Sequence, residues 1–85
     1  MTTFSHAGRV FEVQEFGPID EPGFHYELWD LSESGGMVGR IIVPDGGDPD
    51  GIRFELRKTV PAEVLIKWMQ SVPELRDRVT TPPCT

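Results

Sequence analysis

The chain has 85 residues, of which 38% are apolar and 26% charged, and this composition fits one small globular domain and excludes a disordered chain. Its net charge of −6 opposes the neutralisation of phosphates by Lys and Arg that drives most nucleic-acid binding. A single cysteine, Cys84, excludes a disulfide within the chain, and no apolar run approaches the roughly 20 residues that span a bilayer, so we expect a soluble, cytoplasmic protein.

Three segments in the first half of the chain have the composition of β-strands. Residues 9–16 (RVFEVQEF) are rich in β-branched and aromatic residues, and a loop rich in Pro and Gly follows them. Residues 24–31 (FHYELWDL) alternate between apolar and polar side chains, and residues 37–43 (MVGRIIV) end at Pro44. The segment between them, 32–36 (SESGG), suits a short hairpin connection.

The hydrophobic period changes in the second half of the chain. Residues 52–60 (IRFELRKTV) alternate apolar with charged or polar side chains at period two, which predicts a fourth strand. Residues 61–72 have a helical period, with Pro61 suited to the first turn and Pro73 ending the helix. A second, short helical turn is predicted within residues 74–79. The apolar stripe of the main helix consists of Val64, Leu65, Trp68, Met69 and Val72.

These elements predict an α+β fold, a four-stranded antiparallel meander sheet with one C-terminal amphipathic helix on one face (ββββα). We interpret residues 1–85 as a single domain, with 1–8 and 80–85 as flexible tails. The helix is expected to cover Phe11, Val13, Tyr26, Leu28, Ile41, Val43, Phe54 and Leu56. Exposed apolar patches usually mark an interface, so the side chains on the other face are the predicted interface: Val10, Trp29, Leu31, Val38 and Ile42.

A cluster of three aspartates and three glycines in residues 45–51 has the composition of a calcium-binding loop. With Gly51 at the sixth position of an EF-hand loop, the third and fifth positions are aspartates. The first position is then Gly46 and the twelfth is Arg57, neither of which is a ligand. The pattern predicts a turn between the third and fourth strands, with a weak cation site as the alternative for Asp45, Asp48 and Asp50.

Other candidate sites have residue types but no motif. The histidines, His6 and His25, match no metal-ligand spacing, and His25 is expected at the surface of the side away from the helix. Ser5 with His6, or His25 with Glu27, supplies groups for acid–base chemistry without a catalytic pattern. We therefore predict that the chain is not an enzyme and holds neither cofactor nor metal. The open alternative is a ligand pocket between helix and sheet, lined by Tyr26, Phe54 and Trp68.

The order ββββα is similar to that of the PC4-like single-stranded DNA-binding coactivators, which pair into dimers. This resemblance covers element order only, and it implies binding of single strands through Arg53, Arg57 and Lys58 with stacking on Trp29 or His25. Charge favours a different function, because ten carboxylates and one base lie between residues 12 and 50. We expect a small acidic protein-interaction or regulatory module, homodimeric or bound to another protein, such as a neutraliser of the immunity or antitoxin type.

Overall fold

The computed structural model describes residues 2–17, 23–32, 35–46 and 49–76, which form a five-stranded antiparallel sheet and two helices. The strands lie side by side in chain order: β1 (Thr2–His6), β2 (Arg9–Phe16), β3 (Phe24–Asp30), β4 (Gly36–Val43) and β5 (Arg53–Leu56). A single 3-10 turn (Pro49–Gly51) precedes β5, and α1 (Ala62–Gln70) and α2 (Pro73–Arg76) follow it. The α+β class and the antiparallel sheet with a C-terminal helix are confirmed, but the predicted count of four strands is wrong.

The additional strand is β1, which lies in the segment predicted to be an N-terminal tail. His6 pairs with Arg9, so that only Ala7 and Gly8 connect β1 to β2. Both connecting residues have positive φ, 52° and 79°, as in the two-residue turns whose twist matches that of paired strands. The dipeptide Ala-Gly is not a usual marker of such a turn, because alanine seldom adopts positive φ. The tail prediction is therefore wrong for the described part of residues 1–8.

The core lies between one side of the sheet and the two helices. Six of the side chains predicted to face the helix are buried there, namely Phe11, Val13, Tyr26, Leu28, Ile41 and Val43. The helices contribute Val64, Trp68, Val72 and Leu75, with Leu65 and Met69 partly buried against them. The predicted apolar stripe of the helix is thus confirmed. Neither described helix has the length and apolar character that crossing a bilayer requires.

Trp68 packs α1 against the middle of the sheet. Its fully buried indole donates a hydrogen bond from Nε1 to the backbone oxygen of Tyr26, 3.3 Å away, and packs edge-on against Phe54. Towards the other edge of the sheet, Lys67 Nζ donates to the backbone oxygen of Ser5 at 3.1 Å. The helix therefore contacts β1, β3 and β5, and it lies on this one side of the sheet.

The last strand is shorter than the predicted 52–60 and more exposed. Phe54 pairs with Ile41, and Leu56 with Gly39, so both side chains lie on the helix side as predicted. Both are nevertheless about half exposed, because β5 is an edge strand that extends past the cover provided by α1. The inner face of the sheet is thus well packed at β2, β3 and β4 and open to solvent at β5.

A β-bulge interrupts β4 at Val38. Leu28 pairs with Gly39 and the next residue of β3, Trp29, pairs with Met37, so Val38 is an extra residue without a counterpart on β3. The bulge breaks strict alternation and turns Val38 into the core, where it is 1% exposed. The prediction that Val38 points away from the helix is therefore wrong, because it assumed an uninterrupted period of two.

Candidate interaction face

The candidate site is the side of the sheet opposite the helices, termed the outer face. Alternation along each strand and the antiparallel register together identify its side chains, since directly paired residues point to the same side. The described residues on the outer face of β2 to β5 are Val10, Glu12, Gln14, Phe16, His25, Glu27, Trp29, Met37, Arg40, Ile42, Arg53 and Glu55, and Leu31 follows directly after β3. Both described helices pack on the other side of the sheet.

The outer face brings together four of the five predicted interface residues. Val10 and Leu31 are exposed and lie side by side, because the N–H of Leu31 donates to the backbone oxygen of Val10 at 2.9 Å. Trp29 is half-buried on the same strand, and Ile42 is buried within the face. Val38 is the exception, because the bulge places it in the core. Of the predicted interface residues, Val10, Trp29 and Leu31 are therefore accessible, and Phe16 and Met37 add accessible apolar surface to the same face.

Trp29 lies near the centre of the outer face. It pairs with Glu12 on one side and with Met37 on the other. Its indole Nε1 donates a hydrogen bond to Glu27 Oε1 at 3.1 Å, which satisfies the one polar group of the ring. An indole whose polar edge is satisfied within its own strand can present its apolar surface to a partner without leaving a donor unpaired.

His25 is on the outer face, as predicted, but the expectation that it is a surface residue is wrong. The side chain is only 2% exposed. Phe16 on β2 and Ile42 on β4 are its direct cross-strand partners, and the Phe16 ring packs edge-on against the imidazole with 5.4 Å between centroids. The two neighbours flank the ring, and His25 and Ile42 are both buried on this side of the sheet.

Charged side chains divide the outer face into two halves. On β2 and β3 the charges among the described residues of this face are those of Glu12 and Glu27, and we call this the acidic half. On β4 and β5 they are those of Arg40, Arg53 and Glu55, and this is the basic half. Arg40 Nε donates to Glu55 Oε1 at 2.7 Å, and this hydrogen bond lowers the pKa of the Glu55 carboxyl.

Arg57 extends the basic half just beyond the end of β5. Its N–H and that of Lys58 both donate to the backbone oxygen of Val38, at 2.7 and 3.2 Å, which ends the regular ladder. Arg57 directly follows Leu56 and is exposed, so its charge lies at the end of the basic half. With three arginines and one glutamate, the basic half carries two net positive charges, which match the two negative charges of the acidic half.

The three residues proposed to line a ligand pocket are brought together inside the molecule. Tyr26 and Trp68 are buried against each other, and Phe54 packs on the indole edge. Burial, together with the neighbouring carboxylates of Glu74 and Glu15, raises the pKa of Tyr26 to about 12. The hydroxyl therefore stays protonated near neutral pH. Tyr26 and Trp68 belong to the packed core, while Phe54 is about half exposed on the edge strand.

An ion pair between a buried carboxylate and an exposed arginine, which the sequence analysis missed, lies at the edge of the core. Arg9 forms a salt bridge with Asp30, which is buried, and the N–H of Ser32 donates to the same carboxylate at 2.9 Å. Burial opposes ionisation, but the hydrogen bond from Ser32 and the charge of Arg9 outweigh it and lower the pKa of Asp30. The sequence contained one indication that Asp30 is buried, because Asp30 alternates along β3 in phase with the buried Tyr26 and Leu28.

The residues of the predicted calcium-type loop do not assemble a site in the part of the chain that the structure describes. Asp45 and Asp50 are both exposed, and Asp50 lies in the 3-10 turn. Among the described residues, no group of three or more His, Cys, Asp or Glu side chains is placed to hold a metal ion. Asp48 and Cys84 lie outside the described residues, so the cation site remains an untested alternative to the turn.

Comparison with protein-family models, with curated proteins and with solved structures finds no match for this chain.

Proposed function

We propose that the chain is a small acidic protein-interaction module that binds its partner through the outer face. The observation that carries this proposal is the pair of exposed apolar side chains, Val10 and Leu31, held side by side next to the half-buried Trp29. Apolar patches of this kind in a polar surround commonly form the centre of protein interfaces, and Trp is frequent among their anchoring residues.

The charge of the chain supports a regulatory protein partner. Ten carboxylates against one base between residues 12 and 50, and a net charge of −6, create a negative field that accelerates encounter with a basic protein surface. In this proposal the apolar patch supplies the affinity and the carboxylates supply the rate of association. A cytoplasmic neutraliser of the immunity or antitoxin type is one biological form that such a module takes.

Single-stranded nucleic acid is the alternative partner, and the composition of the outer face disfavours it. The three arginines on or next to the basic half are offset by three glutamates on the same face, so the face as a whole offers no net positive charge for phosphates. His25, one of the two side chains proposed to stack on bases, is buried. The resemblance to the PC4-like coactivators also rested on a four-stranded order, whereas the sheet has five strands.

Two leucines provide a matched test of the proposal. Leu31, on the outer face, is 52% exposed, and Leu56, on the helix side of β5, is 51% exposed. Leu31→Ala and Leu56→Ala therefore remove the same side chain at the same exposure from opposite sides of the sheet. Each variant and the wild type would be tagged and used to capture proteins from native lysate after nuclease treatment, with bound proteins quantified by mass spectrometry and self-association followed by light scattering.

The proposal expects that a stoichiometric partner, either another protein or the chain itself, binds the wild type and Leu56→Ala but binds Leu31→Ala at least about tenfold more weakly. Equal binding by all three proteins would remove the outer face as the interaction surface. Salt-sensitive recovery of nucleic acid from untreated lysate, with no protein dependent on Leu31, would support the alternative partner instead.

A further inference from the structure

We infer that the partner of the outer face is a second copy of this chain, related to the first by a two-fold axis that runs parallel to the strands between β3 and β4. This inference rests on the proposed function and names its partner. The order of side chains across the face supports it, because this order is complementary to itself under that rotation.

The order of side chains is set by the register of the strands. Three rows cross the outer face from β2 to β5. The first row is Glu12, Trp29 and Met37, on β2 to β4; the second is Gln14, Glu27, Arg40 and Glu55; the third is Phe16, His25, Ile42 and Arg53. Each row thus begins on the acidic half of the face and ends on the basic half.

A two-fold axis along the strands reverses the left-to-right order of the side chains in each row. It leaves the position of the row along the strand direction unchanged. It lays β2 of one copy over β5 of the other, and β3 over β4. In the first row, Trp29 then faces Met37 of the second copy, and symmetry repeats this contact. Two apolar contacts therefore lie on either side of the axis, as in the apolar centre of an interface.

The second row has the same property. Glu27 faces Arg40 of the second copy, and the amide of Gln14, which can donate, faces the carboxylate of Glu55. In the third row Phe16 faces Arg53, a pairing in which the guanidinium can lie over the ring. In none of the three rows, therefore, does a charged side chain face a like charge of the second copy.

A second symmetric way to stack two outer faces places the axis across the strands. That rotation lays every strand over its own copy and exchanges the first row with the third. Glu27 would then face Glu27, and Arg40 would face Arg40. Like charges in contact across an interface are costly, so the register selects the axis that runs along the strands.

The area of the face is adequate for such a pairing. β2 to β5 have 8, 7, 8 and 4 residues, and at about 3.3 Å by about 4.8 Å per residue they cover roughly 430 Å² in projection. The accessible surface of a face covered with side chains exceeds its projection, which brings it towards the roughly 800 Å² per partner of a standard interface. Sheets that stack face to face commonly align within about 30° of each other, as this axis requires.

Charge reversal at the Glu27–Arg40 contact of the second row tests the inference. Glu27→Arg leaves two arginines facing two arginines in the homodimer, and Arg40→Glu leaves two glutamates facing two glutamates. A mixture of the two variants forms a heterodimer in which both contacts are again of opposite charge. Sedimentation velocity would give the dissociation constant of each protein and of the mixture, with circular dichroism to check folding. Glu63→Arg, on the exposed first turn of α1, is the control.

We expect the wild type and Glu63→Arg to dimerise equally, each single reversal to weaken the dimer by at least about tenfold, and the mixture to recover most of the lost affinity. A dimer that ignores both reversals, or a mixture that stays monomeric although both variants are folded, would overturn the inferred pairing. A monomeric wild type whose capture of a different protein depends on Leu31 would overturn the pairing and leave the proposed function standing. A monomeric wild type without such capture would remove both.

Discussion

The hydroxyl of Tyr26, on β3, donates a hydrogen bond to the carboxylate of Glu74 in α2, 3.4 Å away. Burial, with the charges of Glu74 and Glu15, raises the pKa of this hydroxyl from 10.0 to about 12. Tyr26 is the single tyrosine of the chain, so absorbance reports its ionisation alone. We expect a titration midpoint near 12 in the folded protein, and Glu74→Gln should move the midpoint back towards 10.0.

The same shift predicts how alkaline pH affects stability. A group whose pKa is higher in the folded state stabilises the fold below its unfolded pKa, and this contribution is lost as the pH rises from 10.0 towards 12. Glu63→Gln, at an exposed position of α1, should change neither the midpoint nor this pH dependence. An ordinary midpoint in the folded wild type would contradict the buried Tyr26–Glu74 contact.

Trp68 and Trp29 are predicted to contribute very differently to stability. Trp68 is fully buried and hydrogen-bonded to the backbone of β3, so Trp68→Ala should lower the free energy of unfolding by about 3–5 kcal/mol. Trp29 is half-buried on the outer face, and Trp29→Ala should cost the monomer about 1 kcal/mol or less. Urea denaturation below the concentration of self-association measures both values, and similar losses would place Trp29 in the main core.

Asp30 is predicted to make stability depend on acidic pH. Its pKa is lowered in the folded state, so its ionised form stabilises the fold above the ordinary value of 3.8, and this contribution is lost as the pH falls below 3.8. Asp30→Asn should remove this part of the acid dependence and, by weakening the contacts with Arg9 and the Ser32 N–H, cost about 1–3 kcal/mol at neutral pH. Thermal melts of both proteins across acidic pH would show the difference as two curves that converge at low pH.

Gly39 is predicted to be essential for the pairing of β4 with β5. A Cβ at this position would collide with the backbone oxygen of Glu55 and press on Leu56. Gly39→Ala should therefore displace β5 and cost about 1–3 kcal/mol. Gly17→Ala is the control, because a Cβ there meets only ordinary van der Waals neighbours, and its effect should stay within about 0.5 kcal/mol. Hydrogen exchange of the amides of β5 would locate the damage.

The elements that the sequence predicted well are those with an uninterrupted period. The helical stripe through Val64, Trp68 and Val72 and the alternation of Phe11 with Val13 both place their side chains in the core. In each case the hydrophobic pattern and the local backbone agree, and no neighbouring strand changes the phase. The fold class follows from these segments alone.

The errors arise where distant contacts decide the outcome. His25 is buried because Phe16 and Ile42 lie on the two adjacent strands, and a pattern along one strand does not contain its neighbours. The hairpin at Ala7 and Gly8 is formed by a dipeptide with little turn preference, so pairing of β1 with β2 selects the turn rather than the reverse. The two-part charge of the outer face likewise depends on register, which the order of residues along the chain does not show.

The bulge at Val38 also bears on how this chain is to be aligned with any other. The residues of β4 before and after Val38 lie on the correct face of the sheet only because Val38 is left out of the pairing with β3. A homologue with a regular strand would match these two parts of β4 only if the alignment allowed a gap of one residue. An ungapped profile through this strand would score core positions against surface positions from there onwards, and distant kinship would be underestimated.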